Sequence, residues 1–119
     1  FNASSPYSAT KASAELLINA YITTYNVDAI ITRCTNNYGP HQFVEKLIPK
    51  TIGLCRLDRE IPVYGTGKSI RDWIHVQDHC DAILTVLEKG KSGESYNISG
   101  SNEIDNVTII KIQFELTNF

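Results

Sequence analysis

The fold is decided by the stretch Ser4-Ser5-Pro6-Tyr7-Ser8-Ala9-Thr10-Lys11-Ala12, which opens a helix that we predict to run to about Tyr25. Ser4 or Ser5 can accept a hydrogen bond from the first free N–H groups, and Pro6 stands where a missing N–H costs least. Apolar side chains then recur at four-residue steps, as one stripe of a helix requires. These side chains are Ala12, Leu16 and Ala20, with Leu17 and Tyr21 beside them.

Tyr7 and Lys11 stand four residues apart on this helix, so the phenol and the ammonium group share one face. A tyrosine in water keeps its proton up to about pH 10, and a fixed ammonium group beside it favours the phenolate. The positive end of the helix dipole acts in the same direction. Such a phenolate could take a proton from a sugar hydroxyl while a hydride leaves the same carbon. Because this spacing also occurs by chance, the pair predicts a proton-transfer site only where its surroundings agree.

A short apolar run at residues 29–35 follows the helix and predicts a buried, parallel strand. The segment Asn36-Asn37-Tyr38-Gly39-Pro40 is predicted to be a loop at the carboxyl end of that strand, where open α/β sheets bind their ligands. Asparagine offers donors and acceptors without net charge, which suits a sugar hydroxyl or a carboxamide. A simple turn built around Gly39 explains the same segment.

A second helix is expected from near Leu47 to about Arg59, because Pro49 is tolerated only in a first turn. Lys46 precedes this helix and is a candidate phosphate ligand, since helix starts bind anions and an ammonium group adds charge. The alternative is an ordinary solvated lysine.

Two short strands are predicted at residues 61–64 and 70–76, with a turn at Gly65-Thr66-Gly67-Lys68 between them. The glycines of this turn are better explained by a hairpin than by phosphate binding. Arg71 has the planar fork that can grip a diphosphate through two hydrogen bonds. Alternatively, Arg71 forms a salt bridge with Asp72 or another carboxylate.

The rest of the chain predicts a third helix at residues 77–89, a strand at 94–98 and a partial helix from Thr108 to Phe119. Four apolar residues of the third helix are expected to face inward. They are Cys80, Ile83, Leu84 and Leu87. His75 and His79 are four residues apart, but His75 falls in the preceding strand and no further ligand completes a set. We therefore predict no metal site.

Composition limits the possible functions. The 119 residues can form at most one domain, and 42% hydrophobic and 20% charged residues are ordinary for a soluble globular protein. A net charge of −2 provides no basic surface, so nucleic-acid binding is not expected. The sequence shows neither a long apolar run nor a basic leader, which predicts no membrane span and no signal peptide. Three widely spaced cysteines indicate reduced thiols in a cytoplasmic protein.

Three motifs together resemble the extended short-chain dehydrogenase/reductase family. They are the Tyr-x-x-x-Lys helix at Tyr7 and Lys11, the segment 36–40, and Arg71-Asp72-Trp73-Ile74-His75-Val76-Gln77-Asp78. The combination is most similar to the nucleotide-sugar 4,6-dehydratases of that family. The resemblance implies an α/β fold, with part of a Rossmann-like doubly wound parallel sheet and part of the smaller substrate-binding region. Residues 1–40 would end the cofactor-binding region and residues 41–119 would bind the nucleotide sugar.

The resemblance also implies roles for individual residues. Tyr7 would be the base and Lys11 would hold the ribose of the cofactor, NAD, with Asn37 as a further cofactor ligand. The nucleotide-sugar substrate, dTDP-glucose, would be bound by a larger set. That set is Asn36, Lys46, Leu47, Pro62, Tyr64, Arg71 and Asn106. A homodimer is also implied, in which Leu17, Tyr21 and Ile22 would face the partner.

The family reaction oxidises C4 of the glucose unit, eliminates water across C5 and C6, and returns the hydride to C6. The glycine-rich turn that binds the cofactor lies in the N-terminal half of the family's enzymes, upstream of the part that this chain resembles. The Thr, Asp and Glu residues that carry out the elimination lie upstream as well. Because the chain opens with Phe rather than Met, we expect it to be a piece of a longer protein and to be inactive alone. The alternatives are an epimerase or decarboxylase of the same family, or a non-catalytic truncated remnant.

Overall fold

The computed structural model describes residues 3–117 and has an α/β architecture, as the sequence predicts. The elements, in chain order, are α1 (Pro6–Tyr25), β1 (Ile31–Cys34), β2 (Asn36–Tyr38), α2 (Leu47–Arg56), β3 (Ile70–His75), α3 (Val76–Lys89), β4 (Ser95–Ile98), β5 (Glu103–Asp105) and α4 (Asn106–Thr117). The predicted end of the last helix at Phe119 lies outside the described residues.

The described residues divide into two compact units that interleave along the chain. Unit 1 contains residues 3–33 and 83–97, and unit 2 contains residues 34–82 and 98–117. The chain therefore crosses from one unit to the other near residue 34, within α3, and again near residue 98. The functional division at residue 40 stays a prediction.

Unit 1 is built on α1 and on a small sheet in which β1 pairs with β4. Ser5 caps α1 as expected, because its Oγ accepts a hydrogen bond of 3.1 Å from the N–H of Ser8. Asn26 ends the helix in a left-handed conformation, and its N–H donates to the carbonyl of Ile22. The boundaries predicted for this helix are confirmed.

Unit 2 contains a three-stranded sheet in the order β2-β3-β5. β2 runs parallel to β3, with Asn36 opposite Trp73 and Tyr38 opposite His75. β5 runs antiparallel to β3. The prediction that residues 36–38 form a loop is wrong, because ladder pairing with β3 overrides the turn preference of the asparagines.

Two other local predictions need correction, and one strand, β5, is not predicted. The predicted strand at residues 29–35 is interrupted at Thr35, and of β1 only Ile31 is buried. Residues 61–64 form no strand, and the N–H of Gly67 instead donates to the carbonyl of Tyr64 in a turn. β5 is three residues long, which is too short for an alternating pattern to be recognised. In contrast, α2 begins at Leu47 as predicted.

Burial is concentrated in unit 2. Its buried side chains are Thr51, Trp73, Ile74, Ile98, Ile109 and Gln113. Neither α1 nor α3 contains a buried residue. The prediction that Cys80, Leu84 and Leu87 face inward is therefore wrong in this chain, where Leu87 is 72% exposed. No described element covers that side of α3. In the part of the chain that the structure describes, no helix is both long and apolar enough to cross a membrane.

Candidate functional site

The predicted proton-transfer pair lies on the first turns of α1 in unit 1. Tyr7 is the second residue of the helix and is 74% exposed, and Lys11 follows one turn later and is also exposed. The hydroxyl of Thr10 donates to the backbone carbonyl of Tyr7 over 2.8 Å. This hydrogen bond does not involve the phenol. The helical placement on which the prediction depends is present, while the catalytic roles stay a prediction.

One turn beyond Lys11, the carboxylate of Glu15 is held by Arg33 of β1. Arg33 donates through Nε over 2.9 Å to Oε1 and through Nη2 over 2.7 Å to Oε2. These hydrogen bonds are the main cause of a lowered pKa for Glu15, which partial desolvation opposes and the charge of Lys11 reinforces. The fork of Arg33 thus provides Glu15 with a partner other than Lys11, and the ammonium group of Lys11 keeps no ion-pair partner among the described residues.

Unit 2 carries all the other predicted site residues. Asn36 and Asn37 lie on β2, with Asn36 exposed and Asn37 half-buried. Lys46 is the exposed N-cap residue of α2, and Leu47 is the first residue of that helix. The backbone of Lys46 begins the helix, because its carbonyl accepts from the N–H of Lys50 over 3.0 Å. The ammonium group of Lys46 is therefore at the positive end of α2, where an anion is favoured.

The nucleotide-binding candidates Pro62 and Tyr64 lie in an exposed, irregular segment that packs against α2. Tyr64 is 80% exposed, and the Nζ atom of Lys50 lies 5.7 Å from the centre of its ring, within cation–π range. The ring is thus attached to α2 on one side while most of its surface stays open. The turn that follows is closed by Gly67, which packs against Val107 of α4 and is not available to a phosphate.

Arg71 and Asn106 lie near one end of the unit 2 sheet. Arg71 of β3 is paired with Ile104 of β5, and Asn106 is the first residue of α4, whose N–H donates to the carbonyl of Ser69. Arg71 is exposed, and its guanidinium group has no ion pair or hydrogen bond among the described residues. The alternative of a salt bridge from Arg71 to Asp72 is wrong in this structure.

Asp72 is unavailable to Arg71 because its carboxylate is used to hold the loop before β5. Its two oxygens accept hydrogen bonds from the N–H of Asn102, over 2.7 Å, and from that of Gly100, over 3.0 Å. The bond from Asn102 is the largest cause of a lowered pKa for Asp72, and the N–H of Gly100 adds to it. The motif thus combines a structural carboxylate with a free guanidinium group, a role for Asp72 that sequence analysis did not identify.

Unit 2 also contains an open apolar groove of about 670 Å³, which is lined in part by residues of the segment 36–40 and of the motif at 71–78. Its walls come from β2, α2, β3, β5 and α4. Most of the lining is apolar, including Ile48, Ile52, Trp73, Ile109, Ile112 and Leu116. Two buried polar atoms at the groove have no partner, the indole N–H of Trp73 and the amide oxygen of Gln113. Both residues also line the groove.

Comparison with known proteins identifies the family to which this chain belongs. The sequence pattern of the NAD dependent epimerase/dehydratase family matches residues 1–99, and the chain therefore belongs to that family. This confirms the resemblance carried by the three motifs.

The more similar relatives within the family are dTDP-glucose 4,6-dehydratases. The enzyme of Xanthomonas campestris pv. campestris (strain B100) is 49% identical over 107 residues, which are 90% of this chain and 30% of that protein. The structure of dTDP-glucose 4,6-dehydratase from Bacillus anthracis in complex with NAD matches with a TM-score of 0.94 and 48% identity, over 98% of this chain and 37% of that one.

A more distant solved relative has another activity. UDP-glucose 4-epimerase from Thermotoga maritima matches with a TM-score of 0.91 but only 26% identity, over 99% of this chain and 39% of that one. The predicted fold class, part of the Rossmann-like fold of these enzymes, is confirmed by these likenesses. The chain spans about a third of the length of the relatives that it matches.

Proposed function

We propose that this chain is the part of an NAD-dependent nucleotide-sugar 4,6-dehydratase, acting on dTDP-glucose, that carries the proton-transfer pair and the nucleotide-binding residues. The observation that carries the proposal is the free guanidinium group of Arg71, because Asp72 beside it is held by backbone N–H groups instead. Support also comes from the greater identity to dTDP-glucose 4,6-dehydratases, 48%, than to the UDP-glucose 4-epimerase, 26%.

In this proposal unit 2 binds the nucleotide diphosphate. Arg71 can donate two parallel hydrogen bonds to phosphate oxygens, and Lys46 adds an ammonium group at the start of α2. Tyr64 offers an open ring face to the nucleotide base, and Pro62 lies two residues before it in the chain. Leu47 and Asn106 lie at the starts of α2 and α4, and Asn36 supplies an amide to the sugar.

Unit 1 supplies the proton-transfer group. The phenolate of Tyr7 would take the proton of the C4 hydroxyl, while Lys11 stabilises the phenolate and binds the ribose of the cofactor. NAD, when bound, would accept the hydride from C4 and later return it. Both side chains are exposed and free of competing partners, which fits this assignment. We expect the chain alone to be inactive, because the glycine-rich turn and the elimination residues of the family have no counterpart in it.

The nucleotide-binding part of the proposal can be tested with this chain by isothermal titration calorimetry. dTDP is expected to bind, and thymidine, which lacks the diphosphate, is expected to bind much more weakly. Arg71→Gln should weaken dTDP binding by about ten- to a hundredfold, as expected for the loss of hydrogen bonds to a charged group. Arg59→Gln, at an exposed arginine on a different segment, is the matched control.

Equal dTDP affinity of the Arg71→Gln variant and the unaltered chain would contradict the assignment of Arg71. Failure of the unaltered chain to bind dTDP would contradict the proposed nucleotide site as a whole. Turnover of dTDP-glucose with added NAD would contradict the expected inactivity, and the product would then identify the reaction, because a dehydratase releases a sugar lighter by one water and an epimerase an isomer of equal mass.

A further inference from the structure

The two histidines that the sequence places four residues apart both contact β2. Nδ1 of His79 lies 2.9 Å from Oδ1 of Asn37. His75 is opposite Tyr38 in the parallel ladder, and the two rings meet edge to face with centres 5.4 Å apart. Nδ1 of His75 accepts from the N–H of Gln77 at the start of α3. Each imidazole therefore contacts one residue of β2: His79 contacts Asn37, and His75 contacts Tyr38.

Asn37 is held in one orientation by these surroundings. Its Nδ2 atom donates to the carbonyl of Thr35 over 3.3 Å and to Sγ of Cys34 over 3.4 Å. Its own carbonyl accepts from Nε2 of Gln42 over 2.8 Å. Because both amide hydrogens are directed at acceptors, the side-chain oxygen of Asn37 must face His79.

The protonation of His79 follows from this geometry. An oxygen of a carboxamide can only accept, so Nδ1 of His79 must carry the hydrogen. A neutral His79 is consequently fixed as the Nδ1–H tautomer, and its Nε2 atom is left as an acceptor. Reversing the Asn37 amide would direct an N–H group at Nδ1 of His79 and so require the Nε2–H tautomer, but it would leave the carbonyl of Thr35 facing an oxygen.

We propose that His79 is a positioning residue for Asn37: its Nδ1–H holds the Asn37 amide so that the one remaining lone pair of Oδ1 can accept a hydrogen bond from a ligand. The consequence for ligand binding rests on the proposed function, together with the cofactor contact that the family resemblance implies for Asn37. A ligand group that fits this acceptor is an N–H donor, such as the carboxamide of nicotinamide. A carboxylate in its place would meet an oxygen and be disfavoured.

Nuclear magnetic resonance of this chain tests the positioning directly. Long-range ¹⁵N–¹H correlation should show that Nδ1 of the neutral His79 ring bears the hydrogen. His41→Asn, at an exposed histidine whose left-handed backbone suits asparagine, assigns the signals and serves as a control. In His79→Leu the side-chain amide signals of Asn37 should shift or broaden. In His79→Asn they should be retained, because the Asn Nδ2 atom takes the place of the ring Nδ1.

Titration with NAD and with its analogue in which the carboxamide is a carboxylate tests the consequence. NAD affinity should fall by about three- to tenfold in His79→Leu, as expected for one neutral hydrogen bond, and recover in His79→Asn. The carboxylate analogue should bind more weakly than NAD to the unaltered chain and lose this difference in His79→Leu.

The two measurements separate the failure of this inference from the failure of the proposed function. An Nε2–H tautomer, or unchanged Asn37 signals in His79→Leu, would overturn the positioning role whatever the chain binds. The expected tautomer and amide shifts, with no NAD binding to the unaltered chain, would support the positioning role and overturn the cofactor contact that the resemblance implies for Asn37.

Discussion

Units 1 and 2 both carry predicted site residues, but they hold them in different ways. Most of the nucleotide-binding candidates of unit 2 lie on or next to helices and strands that share a buried core around Trp73, Ile74 and Ile109. The proton-transfer pair of unit 1 lies on α1, a helix of 20 residues with no buried side chain. A binding residue in unit 2 is thus positioned by packing within the described structure, whereas Tyr7 and Lys11 are positioned by their helix and by the contact of Glu15 with Arg33.

This difference shows what an apolar stripe does and does not reveal. The stripes on α1 and α3 indicate faces that require cover, yet Leu17 and Leu87 are 59% and 72% exposed. Among the described residues, these side chains stay exposed. The predicted homodimer is one source of such cover, and it stays a prediction.

The largest expected effect tests whether packing stabilises unit 2 more than unit 1. A buried side chain is removed from unit 2, and an exposed one is removed from unit 1. Ile74→Ala should lower the free energy of unfolding by about 2–5 kcal/mol, because Ile74 is 5% exposed on the central strand β3. Leu87→Ala should change it by less than about 0.5 kcal/mol. Urea unfolding followed by the fluorescence of Trp73, the single tryptophan, measures both values. Equal losses would mean that α3 is covered in solution, for example by a second copy of the chain.

The next effect concerns two glycines of one turn in unit 2. Gly65 and Gly67 both have a left-handed backbone, with φ of 61° and 66°. A Cβ atom on Gly65 would have no neighbour within 4 Å, while one on Gly67 would collide with Val107 and come within 2.7 Å of Val63. Gly65→Ala should therefore cost only the backbone strain, about 1–2 kcal/mol.

Gly67→Ala should exceed that cost by about 1–3 kcal/mol of overpacking. Urea midpoints of the two variants give the difference, in which the shared backbone strain cancels. A difference near zero would show that the turn can move away from α4. In that case α4 would not hold the segment of Pro62 and Tyr64 in place.

The sequence predicts the elements of this fold well where a local signal is strong. The cap at Ser5, the start of α2 at Leu47 and the strand of Arg71 all follow from capping, proline and β-branched patterns. β2 and β5 are not predictable in this way. Each is three residues long and exists because it pairs with β3, which is a tertiary effect.

Much the same holds for the site. The motifs predict the residues, and the predicted nucleotide-binding set lies within unit 2. What the sequence does not reveal is which partners compete for a side chain. Asp72 adjoins Arg71 in the chain but binds the backbone of Gly100 and Asn102. The sequence suggests no role for His79 other than that of a metal ligand, because its partner Asn37 is 42 residues away.

The smallest expected effects come from two carboxylates, one in each unit, whose pKa values are both lowered. In Asp72 the main cause is the N–H of Asn102, and in Glu15 it is the guanidinium group of Arg33. A carboxylate whose pKa is lower in the folded state adds stability above its unfolded pKa, at about pH 4, and loses it as pH falls through the folded value. Asp72→Asn and Glu15→Gln should each lower the urea midpoint at neutral pH, and each should make it less sensitive to acid below about pH 4.

Salt then separates the two carboxylates. Glu15 binds a charged, exposed partner, so at about 1 M NaCl the difference between Glu15→Gln and the unaltered chain should shrink. Asp72 binds uncharged N–H groups, so its difference should persist. Asp28→Asn, at an exposed carboxylate without a hydrogen bond in the described structure, is the control. A salt-sensitive Asp72→Asn would mean that a cation shares this carboxylate in solution, and Arg71 beside it would then not be free for a diphosphate.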